Sequence, residues 1–459
     1  MASDEARIRL RTFLLVLLLA ACVSNAGRAQ SPPDGQEQEK EKPTGLPKRI
    51  DWTFNFDAGW STFGFGNALF NNPREGVEES LSDNWSEGFV KPALSGVFRL
   101  PSSSEVYGKI GAVGQRTYGS IQTRFGPDVS SFGPDDAFIG WRSGDAIGSS
   151  HNLFDISVGR APYVLGHGML LMDGSSNGGS RGGYWTGDRK AFEVAAIGRV
   201  KPGPHTVELF YLNKDELPEA ETGTRLWGAN YQWSIRDNST VGATYLKFFA
   251  RPDVRPDRNG MNVFNLRAYV SPVLQAPDLS FEFEYAAERN GEARDSNAWT
   301  MKGAYKFGTV AWKPTLSYRY AFFEGDNAAT SSNEAFDQLL PSLYDWGSWW
   351  QGEIAGEYFL PNSNLISHQI RAHVEPNDRV SGGLIVYKFR LDQPKAFGTV
   401  TVTDKNVALE ADLYVDWKLN ANFTLSTVAA VASPQTAVRQ FSGRTENFVY
   451  AMVHLGYSF

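Results

Sequence analysis

The stretch that most constrains the fold is residues 447–459, where apolar and aromatic side chains occupy every second position. A period of two is typical of a β-strand with one apolar face. A bare apolar edge strand promotes aggregation, whereas the last strand of a closed barrel pairs with the first. We therefore interpret residues 447–459 as the closing strand of a transmembrane β-barrel. The alternative is the terminal strand of a soluble β-sandwich.

The composition is compatible with a barrel and excludes a membrane protein built from helices. No apolar run after residue 30 reaches the ~18 residues that a spanning helix needs. Aromatic residues nevertheless make up 13% of the chain, with 45 Gly and 13 Trp, as expected where half of each strand is polar. The net charge of −7 shows no basic bias, so nucleic acid is excluded as a partner.

The amino-terminal segment predicts export from the cytoplasm. Basic residues precede a short apolar run at residues 13–21, and Gly27-Arg28-Ala29 is a small-x-small cleavage site, so we interpret residues 1–29 as a signal peptide. The run before Cys22, the only cysteine, also resembles a lipoprotein processing site, which leaves lipidation open. Residues 30–49 have the composition of a disordered periplasmic segment, and residues 50–459 form the predicted barrel.

From residue 50 onward, alternating runs separated by turn residues predict eighteen strands and no convincing helix. Residues 351–360 could form a further strand, but we assign them to the loop at 324–364. The predicted strands are 50–60, 89–99, 105–116, 136–142, 153–160, 191–200, 206–213, 225–236, 239–250, 261–270, 279–288, 298–307, 310–323, 365–374, 380–390, 407–417, 421–432 and 447–459.

The connections between these strands alternate between short and long. Outer-membrane barrels have short periplasmic turns and long extracellular loops. With both termini in the periplasm, the long connections at 161–190, 324–364, 391–406 and 433–446 all fall outside. This agreement predicts an all-β fold, a transmembrane antiparallel barrel in the outer membrane of a Gram-negative bacterium. The loops 161–190 and 324–364 are long enough to fold inward.

Several predicted strands have one apolar and one charged face. A Lys or Arg that faces lipid at mid-depth costs roughly 2–4 kcal/mol, so the charged faces should line the lumen. In strand 380–390 this rule places Lys388 and Arg390 inside, and Tyr387 and Phe389 outside. The candidate pore-lining and anion-binding residues are Arg160, Arg267, Lys302, Lys306, Arg319, Arg371, Lys388 and Arg390, with the carboxylates Glu282 and Glu284.

Two details qualify these candidates. Glu282 and Glu284 lie one hairpin away from Lys302 and Lys306 and could pair with them across strands. Arg160 has the parity of the apolar face of its strand, so it needs a bulge or a strand end to face inward.

The motifs of enzymes and of metal or cofactor sites lack their structural context. Gly174-Ser175-Ser176-Asn177-Gly178 fits a hydrolase nucleophile elbow, but no strand precedes it and no helix follows. The six His are scattered, and no glycine motif lies in the βαβ setting of a nucleotide site. We therefore expect no catalysis, metal or cofactor. Trp346, Trp349 and Trp350 could stack on sugar rings or belong to an aromatic girdle.

Three stretches resemble the alginate-export family of outer-membrane proteins. They begin at Val158-Gly159-Arg160 and extend through Gly182-Gly183-Tyr184-Trp185 to Phe192, include Phe336-Asp337-Gln338-Leu339-Leu340-Pro341-Ser342, and end with Leu409–Leu419 and the closing strand.

This resemblance implies an eighteen-stranded channel with an arginine-lined path for diffusion or export of anionic solutes, including a polyuronate such as alginate. The expected partners are outer-membrane lipid, an anionic saccharide or small anion, and the barrel-assembly machinery, which would recognise the strand that ends at Phe459. The alternative is a secreted, soluble all-β protein that binds carbohydrate or mediates adhesion.

Overall fold

The computed structural model describes residues 50–68, 82–119, 128–148, 150–272, 276, 278–341, 351–397 and 400–459. The predicted signal peptide, Cys22, the disordered segment, Ser342 and the three Trp at 346–350 lie outside these residues. Among the described residues, no helix is long and apolar enough to cross a membrane.

The main element is one sheet of eighteen antiparallel strands that closes on itself. Each strand pairs with its neighbours in the chain, and the last strand pairs with the first, so no edge is left open. The wall strands are β1 (Ile50–Gly66), β2 (Ser82–Arg99), β3 (Glu105–Tyr118), β4 (Val129–Arg142), β5 (Phe154–Ala161), β6 (Phe192–Val200), β7 (His205–Asn213), β8 (Arg225–Arg236), β9 (Ser239–Phe249), β10 (Asn262–Val270), β11 (Leu279–Arg289), β12 (Asp295–Lys306), β13 (Thr315–Phe323), β14 (Leu365–Asn377), β15 (Val380–Arg390), β18 (Asn406–Lys418), β19 (Phe423–Pro434) and β20 (Phe448–Ser458).

The closing strand behaves as its alternation predicts. Its apolar positions, among them Val449, Val453 and Leu455, are exposed on the outer surface, where lipid would cover them. Its register runs from Asp57 opposite Ser458 to Gly66 opposite Val449. Just beyond the strand, the backbones of Phe56 and Phe459 exchange two hydrogen bonds of 3.0 Å.

The predicted eighteen-stranded barrel is confirmed, and most strand bounds agree within two residues. β2 and β4 begin seven residues earlier than predicted, and β1 ends six residues later, so these strands are longer at their extracellular ends. β13 begins at Thr315, five residues later than predicted, and β12 begins and β14 ends three residues outside their predicted bounds. Residues 351–360 form no strand; they contain a π-helical turn, Gly352–Gly356, as part of the loop to which we assigned them.

The connections contain more regular structure than the sequence predicts. The loop between β15 and β18 carries a two-stranded hairpin, β16 (Ala396–Phe397) and β17 (Val400–Thr401). The last extracellular loop carries a short α-helix, Thr436–Ser442, that ends at Gly443 with φ 72°, where the backbone N–H donates to the Arg439 carbonyl. Such a left-handed C-cap is what glycine commonly supplies.

Two long loops fold into the barrel and meet there. Leu171 and Leu340 form a parallel bridge, and the Leu340 N–H donates to the Leu170 carbonyl at 3.1 Å. Leu165, Leu170 and Phe336 are almost fully buried against inward side chains of the wall. The inner wall at this level is therefore packed against the two loops, whose length allowed them to fold inward.

Candidate functional site

A stripe of basic side chains crosses three neighbouring strands on the inner wall. Lys302 of β12 and Arg319 of β13 are direct cross-strand partners. Arg371 of β14 lies opposite Ser317, and is therefore the diagonal neighbour of Arg319. Arg319 is 2% exposed, whereas Lys302 and Arg371 are partly exposed. We call Lys302, Arg319 and Arg371 the basic stripe.

The sequence predicts that Glu282 and Glu284 pair with Lys302 and Lys306, and the structure contains one such ion pair. Lys302 lies 3.4 Å from Glu282. Lys306 instead pairs with Glu375 of β14 at 2.8 Å, because both lie near the periplasmic end of the barrel. Glu284 accepts hydrogen bonds from Tyr269 and Asn265 and forms no pair with Lys306.

Arg371 shares a partner with a neighbouring histidine. Its Nε donates to the Tyr414 hydroxyl at 2.8 Å, and its guanidinium lies 5.2 Å from the centre of that ring. His373 Nδ1 is also 2.8 Å from the same hydroxyl. Tyr414 thus holds the end of the basic stripe in place without neutralising its charge.

Arg267 lies on the inner wall beneath the first inward loop. Its guanidinium donates to the side chains of Asn230, Thr244 and Asn265, all of which are neutral. The loop crosses close above it: a Cβ on Gly166, whose φ is 57°, would lie 2.9 Å from Arg267 Cδ. Arg267 therefore supports the loop in this structure and is not open to the lumen.

Arg160 faces inward because a β-bulge interrupts the pairing of its strand, as its parity predicts. The register between β5 and β6 shifts between Gly159 and Ala161, and Gly159 has a φ of 136°. A Cβ at Gly159 would overlap the Ala137 carbonyl, so glycine is needed there. The bulge brings Arg160 Nη2 to 2.5 Å from Asp215 Oδ2.

Lys388 and Arg390 do not line the lumen, and that prediction is wrong. They lie opposite His368 and Ile366 of β14, on the face that exposes Ile370 and Val386 to the outside. Their inward neighbours Ile385, Tyr387 and Phe389 are buried against the loops. Because the interior is packed here, the inner face of β15 is apolar, and the charges lie outside near the extracellular rim.

Buried carboxylates fasten the loops to the wall. Glu87 of β2 accepts the backbone N–H groups of Tyr184, Trp185 and Thr186 at 2.9–3.0 Å. Glu410 of β18 accepts those of Ile354 and Ala355, both at 2.8 Å. Each wall carboxylate thus binds consecutive amides of one inward loop.

A Cβ on Gly352, whose φ is 90°, would overlap Glu410 Oε1. Glycine therefore permits the loop to approach the wall carboxylate so closely.

Asp337 fastens the second loop to the extracellular loop between β9 and β10. Arg258 binds both of its oxygens, at 2.7 and 2.5 Å, and Arg255 adds a contact of 2.7 Å. Burial raises the pKa of Asp337, but the charge and hydrogen bonds of Arg258, followed by the charge of Arg255, outweigh it and leave the pKa below its ordinary value.

Asp215, in the loop after β7, fastens the first inward loop. It accepts hydrogen bonds from Arg160, from Arg181 at 2.7 Å and from Ser175 at 3.0 Å. Burial raises the pKa of Asp215, and the two arginines lower it further than burial raises it. Ser175, the centre of the apparent nucleophile motif, is thus a donor in a loop anchor.

Sequence reasoning missed the anchoring carboxylates Glu87, Asp215, Asp337 and Glu410 as a class. Each of the three stretches that resemble the family contains or contacts one of these carboxylates. The first, at Gly182-Gly183-Tyr184-Trp185, contacts Glu87, the Phe336–Ser342 segment contains Asp337, and Leu409–Leu419 contains Glu410. For Glu410 the available signal was an acid on the inward parity of its strand, but the loop amides that it binds are remote in sequence. Asp215 and Asp337 lie in loops and Glu87 precedes the predicted start of its strand, so parity gave no signal for them. Among the described residues, no group of His, Cys, Asp or Glu could hold a metal ion.

The sequence model of one protein family, described as alginate export, matches residues 189–452, more than half of the chain. The chain belongs to the alginate export family. The match covers the strands that carry the basic stripe, the Asp337 segment and the Glu410 strand. A comparison with curated protein sequences finds no match.

The fold of this alginate export family protein is also that of known outer-membrane barrels. OccK7 (OpdD) of Pseudomonas aeruginosa is 8% identical with a TM-score of 0.53, covering 89% of this chain and 99% of that one. The outer membrane protein opdK of the same species is 9% identical (0.54; 89% and 98%). OccAB4 of Acinetobacter baumannii is 11% identical (0.54; 90% and 98%).

At these identities the structural comparison shows the fold alone. Family and fold together place the protein in the outer membrane of a Gram-negative bacterium as a channel-forming barrel.

Proposed function

We propose that the channel passes anionic solutes and that its cargo is a polyuronate chain such as alginate. The observation that carries the proposal is the basic stripe, in which Lys302 and Arg319 face each other directly across two strands. Like charges in that position destabilise a sheet. An anionic cargo bound there would offset the repulsion between these two cations.

The chemistry of the stripe suits carboxylates. Guanidinium groups form charge-assisted and often bidentate hydrogen bonds with carboxylates. Neighbouring strands lie about 4.8 Å apart, so cations on β12, β13 and β14 offer successive contacts to a chain that carries one carboxylate per sugar. Glu282, at 3.4 Å from Lys302, competes for that cation and would keep binding weak enough for release.

The exposure of the stripe supports loading from the periplasm. Lys302 and Arg371 are partly exposed, as is Lys306 at the periplasmic end of β12, whereas Arg319 is buried. A chain that arrives from the periplasm would first meet the exposed cations. It would then displace the inward loops to reach Arg319 and the extracellular side.

Planar bilayers test the proposal. Wild-type protein should be anion-selective in a salt gradient and should be blocked by oligouronates but not by neutral oligosaccharides of equal length. The double variant Arg319→Ala and Arg371→Ala should move the reversal potential towards zero and weaken the block about tenfold or more, the loss expected for charge-assisted contacts.

Lys388 and Arg390 provide the matched control, since they are two basic residues of the same barrel that lie on its outer face. The variant Lys388→Ala and Arg390→Ala should leave selectivity and block unchanged. An unchanged reversal potential in the Arg319/Arg371 variant would refute the proposal.

The soluble carbohydrate-binding alternative conflicts with the outer surface of the barrel. Leu209, Leu266, Ile370 and Leu413 are among many large apolar side chains that are exposed all round the wall. A soluble protein would have to leave this band in water, whereas an outer-membrane barrel buries it in lipid.

A further inference from the structure

The outward basic residues of the wall are distributed unevenly between its two ends. Strand alternation places Arg116, Arg225, Lys247, Arg289, Lys388 and Arg390 on the outer face of the described strands. Every one of them lies within two residues of the extracellular end of its strand. These cations therefore lie at the level of one membrane leaflet, the outer one.

Three of these six cations have partners within the protein. Arg289 lies 3.2 Å from Asp295, and Arg116 lies 3.5 Å from Asp128. Lys247 donates to the Gly260 carbonyl and to Asn262. Among the described residues, Lys388 and Arg390 form no ion pair, although they follow each other on one face of one strand. Their charge is thus available to a ligand outside the protein.

His368 completes this surface, because it is the direct cross-strand partner of Lys388. Its Nδ1 lies 2.8 Å from the Tyr318 hydroxyl, and its ring packs edge-on against Tyr320 at 5.1 Å. These contacts fix the ring beside the two cations. We call His368, Lys388 and Arg390 the outer basic patch.

Aromatic side chains beside the patch indicate its depth. Trp299 packs against Tyr320 at 4.8 Å and against Phe322 at 6.2 Å, all on the outward face near the extracellular ends of β12 and β13. Such girdles lie where the hydrocarbon of a bilayer meets the headgroups. The cations are therefore at headgroup level, where they avoid the cost of a charge in hydrocarbon.

We propose that the outer basic patch binds a phosphate group of a phosphorylated glycolipid in the outer leaflet. A phosphate offers several anionic oxygens to Lys388 and to the planar fork of Arg390. The acyl chains would lie along Leu384, Val386 and Ile370, which are exposed below the patch on the same face. One lipid would thus contact β14 and β15 through both its charge and its chains.

The test uses the purified full-length protein in detergent with purified lipopolysaccharide as the probe, and native mass spectrometry to count bound lipid. The variant Lys388→Gln and Arg390→Gln should bind about tenfold less, since charge-assisted contacts are lost. The charge-conserving variant Lys388→Arg and Arg390→Lys should retain most binding. Enzymatically dephosphorylated lipopolysaccharide should bind the wild type as weakly as the intact lipid binds the Gln variant.

The matched control is Arg379→Gln and Lys418→Gln, which removes two positive charges at the periplasmic ends of the neighbouring strands. It should bind as the wild type does. Heat-modifiable gel mobility confirms that each variant is folded. Undiminished binding by the Gln variant, equal binding of dephosphorylated lipid, or equal competition by phosphatidylglycerol would overturn the assignment. None of these outcomes bears on anion selectivity, which depends on the inner wall.

Discussion

At the scale of single residues, buried carboxylates determine whether the loops stay inside the barrel. Asp337 is buried with Arg258, so neither charge can be solvated if its partner is lost. Removing one member of a buried pair is much more costly than removing an exposed pair. The conformation of the loop therefore depends on a few such contacts.

The variant Asp337→Asn tests the role of this pair. It leaves Arg258 without its counter-charge and should destabilise loop docking by roughly 3–5 kcal/mol. Freed from Asp337, Arg258 becomes a site for trypsin, whereas Arg255 is not cut because Pro256 follows it, so cleavage after Arg258 between β9 and β10 should accelerate more than tenfold. The control Asp253→Asn removes an exposed partner of Arg251 in the same loop and should leave cleavage unchanged. Equal cleavage rates in both variants would contradict the anchor.

The same anchors predict how the loops respond to acid. The pKa values of Asp215 and Asp337 are below their ordinary value in the folded protein. A lowered pKa means that the stabilisation is fully present above the unfolded value of about 3.9 and is lost as the pH falls through the folded value. Trypsin-independent probes such as hydrogen exchange should show docked loops at pH 5–7 and release only below about pH 4. Release already at pH 6 would refute the assignment.

At the scale of elements, the inward loops determine which strand faces are apolar. β15 has apolar residues on both faces because lipid covers one face and loops cover the other. The expectation that every charged face looks inward holds for β13 and for Glu410 and Asp412 of β18, but fails for β15. The contact between Glu410 and residues 354–355 shows how a wall strand and a loop form one packed unit.

The variant Glu410→Gln should loosen the π-helical turn, because an amide nitrogen replaces one of the two oxygens that accept backbone N–H groups. The expected cost is about 1–3 kcal/mol. Single-channel recordings should show more frequent and larger openings than in the wild type. Asp416→Asn is the control: Asp416 lies on the same inner face but towards the periplasm, where it accepts from Ser426 at 2.6 Å. Identical recordings from the two variants would mean that Glu410 does not hold the loop.

At the scale of the whole molecule, closure of the barrel depends on β20 pairing with both β19 and β1. The ends of the sheet are therefore brought together only when the last strand is in place. Until β20 pairs, the edges of β1 and β19 have unpaired backbone groups. Assembly is therefore sensitive to the carboxyl-terminal residues.

Deleting Phe459 removes the two hydrogen bonds between its backbone and Phe56. If this residue is also part of the signal that the barrel-assembly machinery recognises, the amount of heat-modifiable barrel in the outer membrane should fall several-fold. Phe459→Tyr keeps the backbone contacts and an aromatic ring, and should assemble normally. Normal assembly of the deletion variant would show that neither the contacts nor the signal matters.

The sequence by itself determined the barrel, its strand number and its orientation. The period of two and the alternating loop lengths are local properties, which can be counted along the chain without knowledge of tertiary contacts. It also determined that Arg160 needs a bulge, since parity is counted along one strand. Only the tertiary structure decided what fills the lumen. The loop amides that bind Glu87 and Glu410, and the arginines that bind Asp337, are remote in sequence. For the same reason Lys388 and Arg390 could be placed only when the inner face of β15 was seen to be covered by protein.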